Sequence, residues 1–253
     1  MDTTRYRVLG LDWLDGGEGR DGRPERSVTT RDQADFLASA LDDFGIDRVR
    51  ALIGASYGGM VGLAFAERHA ERVEQLAVIS APARTHPMST AVRSIQRRIV
   101  ELGLDAGRGA EALAIARGLA MTTFRSAQEF GARFDAAPRE IHGARAVFPV
   151  ESYLEHQGDK FARAFTSARF LALSLSADLH VVDPAAIATP ALFVAARGDN
   201  IVPREQMDDL AAQYAGPSRL VETQTRTGHD AFLAEPQAVG GLLQDLLITS
   251  VLT

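Results

Sequence analysis

The amino-acid sequence predicts an α/β fold, in which helices flank a mostly parallel sheet and a helical segment is inserted between two of the strands. Up to residue 80, short apolar runs alternate with helical patterns, which is typical of parallel strands joined by right-handed crossovers. Residues 83–183 then show helical periodicity and no convincing strand. Strands and helices alternate again afterwards. We therefore expect a core of residues 1–82 and 184–253, and a helical lid of residues 83–183 that covers an active site.

Composition indicates a globular chain and excludes several function classes. The 253 residues are 46% hydrophobic and 24% charged, which are ordinary values for a globular domain. The formal net charge of −6, without a lysine or arginine cluster, argues against nucleic acid as a partner. No apolar run reaches membrane-spanning length, no cysteine is present, and the six histidines lack metal-ligand spacing. Since a signal-peptide pattern is also lacking, we expect a cytoplasmic protein without membrane contact, metal or cofactor.

The first part of the chain supplies three predicted strands and two predicted helices. The apolar run Tyr6–Asp12 predicts a buried strand, and the glycine-rich stretch after it predicts a loop. A helix over Thr30–Phe44 would be capped by Ser27 or Thr29 and ended by Gly45. The other elements predicted here are a strand over Asp47–Ile53, a helix over Met60–Arg72 and a strand over Val73–Ser80.

The lid and the last part of the chain contain the remaining predicted elements. Helices are predicted in the lid over Thr90–Leu102, Gly109–Met121, Ala127–Phe134, Val150–Phe165 and Arg169–Asp178. The last part carries a strand over Ala191–Ala196, a helix over Arg204–Tyr214, a strand over Arg219–Glu222 and a closing helix over Pro236–Ile248. These elements complete the parallel sheet.

The stretch from Gly54 to Gly58 (GASYG) has the pattern G-x-S-x-G at a predicted strand-to-helix turn. In such a turn the serine hydroxyl stands above the sheet, and the N-terminus of the following helix favours negative charge. We expect side chains at Gly54 or Gly58 to collide with neighbouring backbone. Ser56 is therefore a candidate nucleophile, and the backbone N–H of Tyr57 is a candidate oxyanion-hole donor. An incidental serine in a glycine-rich turn is the alternative.

Two further residues complete a candidate catalytic triad. A serine nucleophile needs a base, and the base needs an orienting carboxylate. Asp199 and His229 each follow a predicted strand, at the edge of the sheet where Ser56 lies. The chain order Ser56, Asp199, His229 is that of an α/β-hydrolase, which is the fold we expect. Taken singly, each residue has an alternative interpretation: Asp199 could serve only to form a turn, and His229 could be an exposed loop residue. Exposed loop positions are expected for His69, His142 and His156.

Taken together, the motifs resemble the homoserine O-acyltransferases of methionine biosynthesis, which have the α/β-hydrolase fold. The core carries GASYGGM at Gly54–Met60, RGDN at Arg197–Asn200 and TGHDAFL at Thr227–Leu233. The lid carries the resemblance further at Val92–Arg97, Thr122–Ser126, Val150–Leu154 and Gln157–Phe161. The likeness covers nearly the whole chain, and generic hydrolases share only the serine motif.

The resemblance implies a ping-pong acyl transfer. Ser56 would attack the thioester of an acyl-CoA, and the γ-hydroxyl of L-homoserine, deprotonated by His229, would then take the acyl group. Asp199 would hold the imidazole tautomer. Arg125 and Asp230 match family residues that bind the amino-acid substrate, whose carboxylate needs a cation and whose ammonium needs an anion. The alternatives are a salt-bridged lid residue for Arg125 and support of the imidazole for Asp230.

The resemblance leaves the acyl group open between succinyl and acetyl, and the acceptor open between homoserine and serine. Tyr57 favours succinyl-CoA as the co-substrate, because acetyl-transferring relatives often have methionine at this position. The second carboxylate of a succinyl group needs a cation or a hydroxyl. Candidates for that role are Tyr57, Arg84, Arg93 and Arg97. We therefore expect a homoserine O-succinyltransferase, with an acetyltransferase as the alternative.

The chain departs from the family at its N-terminus. The family has further strands and a second oxyanion-hole donor before the strand predicted at Tyr6–Asp12, and these N-terminal strands are missing here. We expect either a fragment of a longer protein or direct pairing of this strand with the strand before Ser56. Loss of one donor typically costs about a hundred- to a thousandfold in rate, so we expect impaired activity.

Two other function classes fit parts of the sequence. An ester or thioester hydrolase would use the same triad with water as the acceptor, but would have no use for Arg125 and Asp230. A non-enzymatic remnant would bind a partner through exposed sheet edges, although the intact triad argues against it. The family often pairs through its lid helices, so the resemblance implies a homodimer. Its interface is expected at Val92–Leu102, which could equally be lid core.

Overall fold

The computed structural model describes residues 4–248 and has a four-stranded parallel sheet at its centre. The α-helices of these residues are α1 Thr30–Asp43, α2 Tyr57–Arg68, α3 Pro87–Asp105, α4 Gly109–Phe124, α5 Ala127–Arg133, α6 Pro149–Ala162, α7 Ser167–Asp178, α8 Arg204–Gln213, α9 Ala231–Ala234 and α10 Pro236–Ile248. The strands are β1 Leu52–Ala55, β2 Leu76–Ile79, β3 Glu140–His142, β4 Arg145–Val147, β5 Ala191–Ala196 and β6 Ser218–Thr223. Among the described helices, none combines the length and the apolar character that crossing a bilayer requires.

The sheet has the order β1-β2-β5-β6, and the helices α3–α7 are inserted between β2 and β5. Leu52 lies opposite Leu76, Leu76 opposite Ala191, and Ala191 opposite Ser218, all in parallel pairs. The predicted α/β-hydrolase-type architecture is thereby confirmed. Because the strands share one direction, the loops that follow β1, β5 and β6 meet at one edge of the sheet.

Alternate residues of the central strands point into two separate cores. Leu76 and Phe193, both fully buried, pack with α1, α2 and α8 on one face of the sheet. Ala77 and Leu192 pack with α10 on the other face. Both faces are therefore covered, which explains why the strand Ala191–Ala196 is a continuous apolar run.

The predicted strand at Tyr6–Asp12 is wrong. This segment has no regular secondary structure, and the side chains of Val8 and Leu9 are 61% and 41% exposed. The segment does not pair with the strand before Ser56 either, because among the described residues β1 pairs only with β2. An apolar run becomes a buried strand only where a neighbouring strand takes its backbone hydrogen bonds, and no described strand does so here.

Two predicted boundaries shift at the serine motif. β1 starts at Leu52, and the residues before it contribute only an isolated bridge between Val49 and Val73. α2 begins at Tyr57, earlier than predicted, because the chain enters the helix directly after Ser56. The turn is therefore shorter than predicted, and the N-terminus of α2 lies directly beside Ser56.

The lid, expected to be all helical, also contains a short antiparallel hairpin. Its strands β3 and β4 are joined through a turn at Gly143, whose φ of +60° favours glycine. Most of the hairpin is exposed, so its sequence lacks the apolar run that would predict a strand.

Candidate active site

Ser56 occupies the turn between β1 and α2 in a left-handed backbone conformation. Its φ is 51° and its ψ is −120°, a region that residues other than glycine rarely enter. The backbone N–H of Ser56 donates to the carbonyl oxygen of Ile79, at the end of β2, at 2.8 Å. A strained strand-to-helix turn of this kind is a nucleophile elbow, which presents the serine hydroxyl at the carboxyl edge of the sheet.

Gly54 and Gly59 are the glycines that this turn requires. A Cβ at Gly54 would lie 2.2 Å from the carbonyl oxygen of Gly58, and a Cβ at Gly59 would lie 2.6 Å from the Cβ of Ala81. A Cβ at Gly58 would meet only the Trp13 ring, at 3.9 Å, which is an ordinary contact. The predicted backbone collision at Gly58 is therefore wrong, because this residue lies in the first turn of α2 and faces the indole.

Ser56, Asp199 and His229 lie together in one hydrogen-bonded chain. His229 Nε2 is 2.8 Å from Ser56 Oγ, and His229 Nδ1 is 2.8 Å from Asp199 Oδ2. Asp199 Oδ1 accepts from the backbone N–H groups of Ile201 and Val202 at 2.8 and 2.9 Å. Since a carboxylate only accepts, His229 carries its proton on Nδ1 and can accept one from Ser56 on Nε2.

Burial and aromatic packing hold the imidazole of His229 in place. The side chains of His229 and Asp199 are only 3% and 1% exposed. The rings of Phe124 and Phe232 lie 5.8 and 5.9 Å from the imidazole. Gly228, with a φ of +68°, lets the loop after β6 approach the loop after β5, because a Cβ there would lie 3.1 Å from a backbone oxygen.

Tyr57 contributes to the site through its backbone and holds the lid with its side chain. Its backbone N–H belongs to the first turn of α2, which lacks intrahelical acceptors. Its hydroxyl lies 2.6 Å from Ser176 Oγ on α7 and 3.4 Å from Gln33 Nε2 on α1. The Trp13 ring packs edge-on against it at 5.2 Å, and burial raises the pKa of the Tyr57 phenol. The side chain thus joins the elbow to the lid.

Arg125 and Asp230, predicted to bind the amino-acid substrate, bind each other in this structure. Arg125 Nε is 3.1 Å from Asp230 Oδ2, and Arg125 NH1 is 3.3 Å from Glu129. Burial raises the pKa of the Asp230 carboxyl, whereas the positive charge of Arg125 lowers it. Arg125 therefore has two carboxylate partners already.

Arg117 is a functional candidate that the sequence prediction missed. Its guanidinium lies 5.1 Å from the ring of Phe124 and 4.9 Å from that of Phe161, and it forms no ion pair with a described residue. Burial lowers the pKa of Arg117, and the negative charge of Asp230 raises it. A half-buried cation without a carboxylate partner is suited to a substrate carboxylate. The one sequence signal is a single charge within the apolar run Ala112–Met121.

The four candidates for a second substrate carboxylate are differently placed. Arg93 and Arg97 both bind the buried carboxylate of Asp178 at 2.6 Å. Arg84 is exposed, and the hydroxyl of Tyr57 is already hydrogen-bonded. Arg93 and Arg97 therefore join α3 to α7 through Asp178.

The predicted exposed loop positions of the other histidines are confirmed only for exposure. His142 and His156 are exposed, but they lie in β3 and α6 and not in loops. His69 is half-buried, and its Nε2 lies 2.8 Å from Asp35 Oδ1. Within residues 4–248, no group of three or more histidine, aspartate and glutamate side chains is arranged to hold a metal ion.

Comparison with known proteins identifies the α/β-hydrolase fold and, within it, relatives that are homoserine O-acyltransferases. A family model described as alpha/beta hydrolase fold matches residues 2–236. The homoserine O-succinyltransferase of Xanthomonas campestris pv. campestris is 39% identical over 99% of this chain and 66% of its own length. The homoserine O-acetyltransferase of Thermus thermophilus is 36% identical over 92% of this chain and 62% of its own length.

A solved structure supports the same assignment. The crystal structure of homoserine O-acetyltransferase from Staphylococcus aureus matches with a TM-score of 0.73 and 27% identity, over 88% of this chain and 65% of that one. The chain thus spans just under two thirds of the length of these relatives. It belongs to the α/β-hydrolase fold family, and within that family to the homoserine O-acyltransferases.

Proposed function

We propose that this chain transfers an acyl group from an acyl-CoA to the hydroxyl of L-homoserine by a ping-pong mechanism. The observation that carries the proposal is the hydrogen-bonded chain from Asp199 through His229 to Ser56. The names of the relatives, homoserine O-succinyltransferase and homoserine O-acetyltransferase, supply the substrate class. No cofactor enters the reaction, because the acyl-CoA is a co-substrate.

The first half-reaction acylates the serine. His229 Nε2 takes the proton of Ser56 Oγ, and the oxygen attacks the thioester carbon. The tetrahedral oxyanion lies at the N-terminus of α2, where the backbone N–H of Tyr57 donates to it. The intermediate collapses with cleavage of the carbon–sulfur bond, and His229 returns the proton to the CoA thiolate.

The second half-reaction moves the acyl group to the amino acid. The γ-hydroxyl of homoserine gives its proton to His229 and attacks the acyl carbon, and Ser56 leaves with that proton. Arg117 binds the acceptor carboxylate, because it is half-buried, lies over the ring of Phe124 beside His229, and forms no ion pair with a described residue. Asp230 binds the ammonium group, and Arg125 orients Asp230.

Succinyl is the acyl group that we propose, with acetyl as the alternative. The support is Tyr57 in the serine motif and the 39% identity to a homoserine O-succinyltransferase. The homoserine O-acetyltransferase of Thermus thermophilus is 36% identical, so the test of the acyl group uses both donors.

Intact-mass spectrometry tests the proposal. The chain is mixed with succinyl-CoA or acetyl-CoA, with and without L-homoserine, and Ser56→Ala serves as the control. A succinyl adduct that requires Ser56 and disappears faster with L-homoserine than with L-serine or water is the expected result. An adduct that water removes equally fast indicates a hydrolase, and no adduct with either donor would contradict acyl transfer.

Homodimer formation through the lid helices is a further part of the proposal. Met88, Ile95 and Leu102, which are 64%, 52% and 67% exposed, follow one another at heptad spacing along α3. Residues seven apart lie on one face of a helix, so these side chains form an apolar stripe suited to the same stripe of a second copy. Light scattering of the chain and of Ile95→Glu tests this: a wild-type monomer would contradict it.

A further inference from the structure

A groove beside the triad carries cations that the proposed mechanism does not use. Two adjoining open depressions of the surface, of about 540 and about 300 Å³, share Gln128, Arg197 and Thr225. Together they form what we call the Arg197 groove. It is defined by Gln128, Arg197, Asn200, Gln224, Thr225 and Arg226. One wall belongs to the start of α5 in the lid, and the other belongs to the loops after β5 and β6.

Ion pairs do not neutralise the positive charge of the groove. Arg197 donates to the amide oxygen of Gln224 at 2.6 Å, which is a neutral partner. The side chain of Arg226 forms no hydrogen bond or ion pair with a described residue. Glu235 also lines the groove, and its Oε1 accepts from two threonine hydroxyls and from a backbone N–H. Its single negative charge still leaves the two arginines in excess. In a chain of net charge −6, this arrangement favours an anionic ligand.

The groove is also close to the nucleophile. Asn200, which lines the groove, directly follows Asp199 in the chain. The imidazole of His229 is hydrogen-bonded to Asp199 on one side and to Ser56 Oγ on the other. Ser126 Oγ donates to the carbonyl oxygen of Arg226, which joins the lid wall of the groove to the core wall. The groove is therefore built on the loops after β5 and β6, which also carry Asp199 and His229, at the edge of the sheet where Ser56 lies.

We propose that the Arg197 groove binds the phosphate-bearing nucleotide end of the acyl-CoA. This inference rests on the proposed function, because it names where the co-substrate of that function is held. CoA carries its phosphates at one end of a long arm and its thioester at the other, so it needs a cationic groove at some distance from the nucleophile. The guanidinium groups of Arg197 and Arg226 match phosphate oxygens in geometry and charge. Gln128 and Asn200 supply neutral hydrogen-bonding groups beside them.

The nucleotide end alone tests the groove. The probe is 3′,5′-ADP, and its binding is measured by isothermal titration calorimetry. The wild-type chain is expected to bind it, and R197A/R226A at least about tenfold more weakly, because charge-assisted hydrogen bonds are lost. The matched control R139A/R145A removes two exposed arginines near the hairpin β3–β4, and should bind like the wild type. Equal affinity of R197A/R226A and the wild type, or no binding by the wild type at millimolar probe, would overturn the inference.

Kinetics distinguish failure of this inference from failure of the proposed function. In R197A/R226A the KM for the acyl-CoA is expected to rise at least about tenfold, whereas the KM for the same acyl group on pantetheine, which lacks the nucleotide, stays unchanged. Acyl transfer with an unchanged KM for the acyl-CoA would refute the groove and leave the proposed function standing. Binding of 3′,5′-ADP through the two arginines without any acyl transfer would support the groove and refute the proposed function.

Discussion

Asp199 Oδ2 lies 2.8 Å from His229 Nδ1, while the other oxygen of the same carboxylate accepts two backbone N–H groups. Both ends of the carboxylate are thus occupied, and it cannot rotate without breaking one set of bonds. The imidazole is held in the tautomer with its proton on Nδ1. That tautomer leaves Nε2 as the acceptor for the proton of Ser56.

The change Asp199→Asn is expected to lower the rate of serine acylation by about 10⁴. The amide oxygen would stay with the backbone N–H groups of Ile201 and Val202, so the NH₂ group would face His229 and force the proton onto Nε2. Adduct formation followed by mass spectrometry measures the rate. Asp208→Asn, which alters an exposed carboxylate paired with Arg204, is the control and should stay within about twofold. Rapid acylation by Asp199→Asn would contradict this role of the carboxylate.

Replacement by alanine is expected to have different effects on the stability of the fold at Gly54 and at Gly58. Gly54→Ala places a Cβ 2.2 Å from the Gly58 carbonyl oxygen, so it should destabilise the fold by about 3 kcal/mol or more. Gly58→Ala meets only the Trp13 ring at 3.9 Å, and replacing a helical glycine should be neutral or stabilise by up to about 1 kcal/mol. Urea unfolding measures both variants. An equal loss of stability in the two would show that the turn has another geometry.

Arg117→Met is expected to raise the KM for the amino-acid acceptor at least about tenfold without slowing serine acylation. The methionine keeps contact with Phe124 and Phe161 but removes the charge. Single-turnover acylation and steady-state transfer separate the two half-reactions. Arg133→Met is the matched control, because Arg133 also stacks on an aromatic ring, that of Tyr153 at 4.4 Å, but is half exposed and pairs with Glu129. An unchanged acceptor KM in Arg117→Met would remove this residue from the acceptor site.

His180 is expected to make the fold less stable in mild acid. Its Nδ1 lies 2.9 Å from Thr30 Oγ1 and its Nε2 lies 3.1 Å from the carbonyl oxygen of Pro82, and burial lowers its pKa from 6.5 to about 4. Between these two pH values the unfolded chain binds a proton that the folded chain excludes. The contribution of His180 is therefore complete above pH 6.5 and is lost as the pH falls towards 4.

From pH 7 to pH 5 this lost contribution corresponds to about 2 kcal/mol. Urea unfolding of the wild type and of His180→Asn at both pH values measures it, because the carboxylates that also titrate are common to the two proteins. The stability difference between them should shrink on acidification. A constant difference would mean that His180 does not titrate in this range.

Local patterns predicted the elements whose partners are close in sequence or whose burial is complete. The helix α1 follows from Thr29, one of the two predicted caps, which forms a capping box with Asp32, and from Gly45 after its end. The strand Ala191–Ala196 has the predicted bounds because both of its faces are buried. The chain order of Ser56, Asp199 and His229, and their positions directly after strands, likewise sufficed to predict that the three residues lie together.

Features that depend on a distant neighbour could not be predicted from local patterns. Val8 and Leu9 have the apolar character of a strand, but burial also needs a pairing strand, which a local pattern does not reveal. Arg125 and Arg117 are both lid arginines, and only the fold shows that the first has carboxylate partners and the second has none among the described residues. Spacing along the chain carries no information about such pairings.

The left-handed backbone of Ser56 implies a conflict between stability and activity. A non-glycine residue at a φ of 51° costs of order 1–3 kcal/mol, and Ser80, at 47°, adds a second such position at the same edge of the sheet. Glycine at position 56 would relieve the strain and remove the nucleophile. Selection for thermostability alone should therefore favour replacement of Ser56 by glycine. A screen for more thermostable variants must select for catalytic activity at the same time.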